Sequence, residues 1–249
     1  MTERRVRHYK NGAFSWEPAP LAEECRVDII VNNRRRASVM ASPCQLDSLA
    51  VGFLFGEGII SGVDDITSLS VNGLEVSVEL RTKNAAPQPP AVDNCSLENT
   101  APEAPLPPRA HPALDAAKIL RLSDEFNSHS YLFRQTGAVH SCRLIDGPRQ
   151  HHADDVARHN ALDKVIGQYL MDGPSGEPGL VLTTGRISTE ILIKSAKAGI
   201  GAVISRSAAT DRAVELAGKL NMIMIGFARQ NRFNVYHGGD LIEQATPRR

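Results

Sequence analysis

GLVLTTGRISTEILIKSAKAGIGAVISRSAATDRAVELAGKLNMIMIGFA, residues 179–228, decides the fold class. Three short apolar runs, GLVLTTG (179–185), GAVISR (201–206) and MIMIGFA (222–228), alternate with two stretches of helical spacing, STEILIKSAKAG (188–199) and TDRAVELAGKLN (210–221). A continuous apolar strand is buried on both faces, and strand–helix–strand alternation lays successive strands parallel beneath their helices. Ser188 is placed to cap the first of these helices and Gly199 to close it. Immediately upstream, DVARHNALDKVIGQYLM (155–171) has the spacing of a further helix, and downstream FNVYHG (233–238) can add an edge strand.

The amino-terminal third has a different rhythm. ECRVDIIVNNRRRASVMA (24–41) alternates as two strands around Asn32–Asn33, and SLSVNGLEVSVEL (68–80) as two more around Asn72–Gly73. Between them SPCQLDSLAVGFLFGEG (42–58) reads as a helix, with Ser42 or Asp47 as its cap. After the larger break, LDAAKILRLSDEFNS (114–128) reads as a helix and YLFRQTGAVHSCRLID (131–146) as strand, glycine turn and strand. His151 and His152 fall between these and the next helix, in an expected loop. The break itself, residues 84–112, is rich in proline and alanine, lacks periodicity and carries Cys95 near its middle. The expected organisation is therefore an α+β amino-terminal portion (1–83), a flexible loop (84–112) and an α/β domain (113–249).

Composition removes several function classes. The chain has 249 residues, 42% of them hydrophobic, which suits a soluble globular protein with a sizeable core. Lysine plus arginine equals aspartate plus glutamate, 28 each, so a general nucleic-acid coat is not expected. The opening MTERRVRHYKNG has no apolar segment behind its basic residues, and no apolar run reaches membrane-span length; a cytoplasmic, membrane-free protein is expected. The four cysteines, Cys25, Cys44, Cys95 and Cys142, include no C-x-x-C pair. His140 and Cys142 are two ligands, too few for zinc, and the zinc-deaminase motifs are incomplete. Neither the common phosphate loops nor G-x-S-x-G is present.

Chemistry collects instead at the exits of the three apolar strands, TTGRIS, SRSAAT and FARQNR. The carboxyl ends of parallel strands share one edge, where ligands bind, and each exit carries arginine: Arg186, Arg206, then Arg229 and Arg232. Guanidinium groups beside helix starts suit phosphates, which points to an anionic ligand, a nucleotide above all. A second concentration is ADDVARHNALDK (153–164). Asp154 or Asp155 can cap its helix, and Asp155–His159, Asn160–Lys164 and His159–Asp163 have the spacing of one-face pairs. The stretch reads equally as a decorated helix end and as part of a site.

These motifs together resemble one family. DDVARHNALDKVIG, preceded by QTGAVHSC and followed by TTGRISTEILIKSAKAG, SRSAAT and IGFARQNRFNVY, looks like the FdhD family of formate dehydrogenase accessory sulfurtransferases; MASPCQLDSLAVGFLFGEGII matches its amino-terminal helix pattern. The resemblance spans about residues 24–242 with the motifs in order. It implies a cytidine-deaminase-like three-layer sandwich with a mixed, largely parallel sheet and no intrinsic metal, in a cytoplasmic homodimer. It implies an activity too: sulfur taken from a cysteine desulfurase as a cysteine persulfide and passed to bis-molybdopterin guanine dinucleotide, bound as substrate, for formate dehydrogenase. The guanine nucleotide ends would bind near Phe227, Ala228, Arg229, Gln230, Asn231 and Arg232, with Arg186, Arg206 and His159 also at the cofactor.

One departure bears on the chemistry. Family members carry C-G-x-C-G in the long loop, whereas this chain has Asp93-Asn94-Cys95-Ser96-Leu97-Glu98, so that Cys95 can match either cysteine of the pair. A persulfide needs one thiolate, so Cys95 is the expected carrier. Without that competence the chain would be a binding module, a chaperone that holds the cofactor and moves no sulfur.

Overall fold

The computed structural model of the chain describes residues 1–81, 110–177 and 179–243. It begins with a hairpin that the residue pattern conceals. Strands β1 (Thr2–Lys10) and β2 (Ala13–Leu21) pair antiparallel around Asn11–Gly12. Most of their side chains are exposed, so no buried face imposes the apolar alternation by which strands are read.

A four-stranded sheet follows, built from β3 (Cys25–Val31), β4 (Arg34–Ala41), β5 (Ile66–Asn72) and β6 (Glu75–Leu80) in the order β4-β3-β6-β5. Asn32 and Asn33 both adopt the left-handed backbone that a two-residue hairpin turn requires. The second turn is Gly73–Leu74, one residue beyond Asn72–Gly73. Helix α1 (Leu46–Gly56) packs Leu49, Val51 and Leu54 into one apolar cluster with Val27, Ile29, Val76 and Val78 of the sheet. Neither expected cap is used: Gln45 precedes the helix and makes no side-chain cap. The Asp47 carboxylate accepts from the Ser48 N–H at 2.7 Å, while Ser42 is committed to the other half of the molecule.

Past the undescribed stretch come β7 (Leu114–Asp115), α2 (Ala116–His129) and α3 (Tyr131–Thr136). Residues 131–136 are thus helical, not a strand: the Ser130 hydroxyl accepts from Phe133 N–H at 3.0 Å and caps a short helix that Gly137 ends. Strands β8 (His140–Asp146) and β9 (Arg149–Asp155) form a hairpin, so His151 and His152 lie in a strand and not in a loop. Then alternate α4 (Arg158–Asp172), β10 (Leu180–Thr183), α5 (Thr189–Lys197), β11 (Ala202–Ser205), α6 (Asp211–Lys219) and β12 (Ile223–Arg229). Strand β13 (Arg232–His237) takes the edge, and β14 (Ile242–Glu243) pairs with β7.

The large sheet has the order β13-β12-β11-β10-β8-β9. Only β10, β11 and β12 run parallel to one another; the pairs β8–β9, β8–β10 and β12–β13 are antiparallel. The sheet is therefore mixed and not largely parallel, because two-residue turns join β8 to β9 and β12 to β13, and such turns can only reverse the chain. Val181, Val203 and Met224 face α4, α5 and α6; Leu182, Ile204 and Ile225 face α2. The result is a three-layer α/β/α sandwich.

Helices α1 and α4 join this sandwich to the smaller sheet, back to back. A Cβ on Gly52 would stand 1.9 Å from the Asp163 carbonyl oxygen, and one on Gly167 1.9 Å from that of Ser48. The two helix backbones touch there, which only glycine allows. Phe55 and Leu170 pack against both apolar clusters and make the interior continuous. Among the described residues no helix is long and apolar enough to cross a membrane.

Candidate functional site

The carboxyl ends of β10, β11 and β12 meet at a cavity of about 360 Å³. Its wall includes Phe133 of α3, His140 at the start of β8, Val156, Thr184, Arg206, Ser207 and Arg229. Hydrogen bonds between loops preset this rim. Ser205 Oγ donates to the Gly185 carbonyl at 2.6 Å, Ser207 Oγ to the Thr184 carbonyl at 2.7 Å, and Phe227 N–H to the Ser207 carbonyl at 3.0 Å. Thr184 Oγ1 accepts from Ser141 N–H at 3.0 Å and tethers the rim to β8.

Strand β12 delivers Arg229 by means of a bulge. Gly226 pairs with Asn234 and Arg229 with Arg232, so Phe227 and Ala228 stand opposite Phe233 alone. Phe227 takes a left-handed backbone, φ 54°, which is rare for a bulky residue and held here by the surrounding bonds. Gly226 must lack a side chain, since its Cβ would meet the Tyr236 ring at 2.6 Å and the Ser207 carbonyl oxygen at 2.9 Å. The Arg229 guanidinium then lies 5.9 Å from the centre of the Phe227 ring, and Arg206 lies 5.9 Å from that of Phe133. Neither arginine has an ion-pair partner among the described residues, and Arg229 Nε is buried without a hydrogen-bond partner. Two arginines near ring faces and without ion-pair partners among the described residues are an arrangement able to receive an anion.

The other residues singled out from the sequence are dispersed. Ala228 is buried toward α2, and its carbonyl accepts from Asn127 Nδ2 at 3.3 Å. Gln230 and Asn231 are the left-handed, exposed turn between β12 and β13, with Arg232 exposed beside them. Arg186 is exposed and does not line the cavity; its charge acts against that of Arg158. His159 also lies off the cavity wall, with Nε2 3.5 Å from Glu190 Oε2. Burial holds its ring neutral, with a pKa near 4, against the pull of Glu190. Cys95 lies outside the described residues. His140, Thr184, Ser207, Phe133 and Val156 share the wall with Gly137, Ala138 and Val139, although sequence alone did not assign them to it; only the TTG and SRS strand exits hinted at two of them.

Residues 153–164 now resolve into two roles. Asp154 and Asp155 end β9 and cap nothing by the expected geometry; the N-cap of α4 is Ala157. Asp155 is fully buried, accepts from the Ser42 and Ala157 N–H groups, and pairs with Lys164 at 2.6 Å. Asn160 donates to the Met40 carbonyl at 2.8 Å and to Asp155 at 3.2 Å. None of the three expected one-face pairs forms. Asp163 instead pairs with Lys194 at 2.8 Å, and Lys194 reaches Glu190 at 3.3 Å. The buried side of the stretch fastens the two halves of the molecule, whereas Arg158 and His159 are left on the side of the strand exits.

The remaining thiols differ sharply. Cys142 is fully buried in β8, and burial pushes its thiol far above the ordinary range. Cys25 is half-buried, and Cys44 is exposed with its Sγ 3.7 Å from Lys164 Nζ.

Residues 22–243 match the model of the FdhD/NarQ family. A sulfur carrier protein FdhD from Listeria monocytogenes is 33% identical, the match covering 97% of this chain and 98% of that protein. One of the same name from Bacillus licheniformis is 32% identical, with 94% of each chain covered. A crystal structure from Desulfotalea psychrophila, described provisionally as a formate dehydrogenase accessory protein, superposes with a TM-score of 0.81 at 27% identity, covering 97% of this chain and 99% of that one.

Proposed function

This chain belongs to the FdhD/NarQ family, and from that premise we propose that it is a sulfur carrier for molybdenum-cofactor maturation. It takes sulfane sulfur from a cysteine desulfurase and delivers it to bis-molybdopterin guanine dinucleotide, bound as substrate, for formate dehydrogenase. It works as a cytoplasmic homodimer. The names of its full-length relatives support the sulfur step. The observation that carries the cofactor step is the cavity with Arg206 and Arg229, two guanidinium groups at the strand exits without carboxylate partners among the described residues. Such a site takes the phosphates of a nucleotide end, and Phe227 and Phe133 offer ring faces beside them.

Cys95 is the carrier in this reading. Its thiolate attacks the outer sulfur of the donor persulfide: a new S–S bond forms at Cys95, the donor's S–S bond breaks, and the donor leaves as a thiolate. Cys142 is excluded from this role, since a fully buried thiol held in its protonated form is no nucleophile at neutral pH. The stretch at 84–112 brings the thiol, the portion at 1–83 braces α4 through α1, and the domain at 113–249 holds the cofactor.

Intact-protein mass spectrometry after incubation with a cysteine desulfurase and cysteine tests the sulfur step. The mass of one added sulfur atom is expected on wild type and Cys44→Ala and not on Cys95→Ala. Loss of the adduct only in Cys44→Ala would move the carrier to Cys44. No adduct on any form would leave a cofactor-holding chaperone that transfers no sulfur.

A further inference from the structure

We propose that Arg158, Arg186 and Ser188 form a second oxyanion subsite, separate from the Arg206–Arg229 cavity, that holds another phosphate of the same ligand. This rests on reading the strand exits as the cofactor edge. It divides the arginines of that edge into two receptors where the sequence suggests one.

Three observations meet at this point. First, the loop from Gly185 to Ser188 is built to receive the Arg158 side chain. A Cβ on Gly185 would stand 2.8 Å from Arg158 Cβ and 3.0 Å from its Cδ, so only glycine lets the stem lie across the exit of β10. The loop is fixed by Gly185 N–H to Thr183 Oγ1 at 3.1 Å and by Ile187 N–H to the Ala208 carbonyl at 3.0 Å. Second, polar atoms here are buried and unmet: Arg158 Nε and Ser188 Oγ have no hydrogen-bond partner. Buried polar groups left so in a well-bonded loop call for a missing partner. Third, positive charge gathers here in excess, with Glu190 the one carboxylate that favours the charge on Arg158. Burial and then the charge of Arg186 both oppose the charge on Arg158. Neither guanidinium has an ion pair among the described residues. Glu190 is near, but its Oε2 faces His159 at 3.5 Å and its Oε1 faces Lys194 at 3.3 Å.

The chemistry of this set is that of a tetrahedral oxyanion. Two guanidinium groups supply forked donors, and the Ser188 hydroxyl supplies another. Helices α4 and α5 both begin here without a side-chain cap, which adds their positive ends to the arginines. The subsite borders the cavity without sharing its wall: His140 lines the cavity and feels the Arg158 charge, whereas Arg158, Arg186 and Ser188 do not line it. A ligand with two separated phosphates can engage both receptors at once.

Titration with inorganic phosphate at low ionic strength, followed by calorimetry and by backbone amide NMR shifts, tests the division. Two sites per chain are expected, one shifting the Ser188 and Thr189 amides and one the Ser207 amide. Arg158→Met and Arg186→Met should each weaken the first about tenfold or more and leave the second, while Arg206→Met should do the reverse. Arg186 is exposed, so its variant tests the subsite with the fold intact. A single wild-type site lost only in Arg206→Met would overturn the second subsite and leave the proposed function standing. No phosphate bound at either place would count against both. Sulfur loading of Cys95, read by mass, is independent of these outcomes.

Discussion

Lys164 Nζ lies 2.6 Å from Asp155 Oδ2 with both side chains fully buried, and Asp155 in turn accepts from the Ser42 N–H 113 residues earlier in the chain. One ion pair thereby ties α4, the end of β9 and the entry to α1. The Ser42 carbonyl accepts from the same ammonium at 3.0 Å, so each charge is met by backbone as well as by its partner.

Removing one member alone leaves an uncompensated buried charge. Lys164→Met should lower unfolding stability by roughly 3–5 kcal/mol, measured by urea denaturation. The double variant Lys164→Met with Asp155→Asn should lose less than the sum of the two single changes. Strict additivity would show that the pair does not couple.

The contact between α1 and α4 admits no side chain. Gly52→Ala and Gly167→Ala each force a methyl group to within 1.9 Å of a backbone oxygen on the facing helix. Overpacking of this kind costs about 1–3 kcal/mol, more where backbone must move. A lowered melting temperature is expected for both, and an unchanged one would mean that the helices separate without penalty.

Gly226→Ala should act on the ligand before it acts on the fold. The added methyl meets the Tyr236 ring and the Ser207 carbonyl, which accepts from Phe227 N–H in the bulge delivering Arg229. Guanine nucleotide binding should fall by about tenfold or more, close to the effect of Arg229→Met, which removes a charge-assisted contact directly. Equilibrium titration with a guanosine diphosphate checks both; binding retained in Arg229→Met would remove that arginine from the site.

His159 should remain neutral until the pH falls to about 4. The unfolded chain takes up this proton near the ordinary value of 6.5, ahead of the folded chain. The contribution of the buried neutral ring to stability is therefore full above about 6.5 and declines as pH falls toward 4. Glu190→Gln removes the charge that favours the imidazolium and should lower the midpoint further. Imidazole proton NMR follows the titration, and a rise in Glu190→Gln would contradict the assignment.

Thiol labelling should separate the described cysteines by burial. Cys44 is exposed and should react promptly with an aromatic disulfide reagent in the native protein, whereas Cys142 should react only on unfolding. Peptide mapping of the labelled chain checks the order.

The sequence by itself determined the elements whose periodicity is imposed by burial. The runs that became β10, β11 and β12 are apolar throughout because both faces are covered, and the helices between them repeat at helical spacing for the same reason. The paired asparagines at 32–33 required their turn, and arginine at each parallel strand exit marked the edge where the cavity lies. The exposed strands β1 and β2 and the short helix α3 left no such trace, because no buried face patterned them. Only tertiary structure decided how charged groups are shared. Spacing offered Asp155 to His159 and Asp163 to His159, but packing gave them Lys164 and Lys194. It likewise set Arg206 and Arg229 in one cavity and left Arg186 off its wall. A local repeat is written by which face meets water, whereas the partner of a charge is fixed by groups distant in sequence that fold into reach, and a buried charge must take whichever partner the packing supplies.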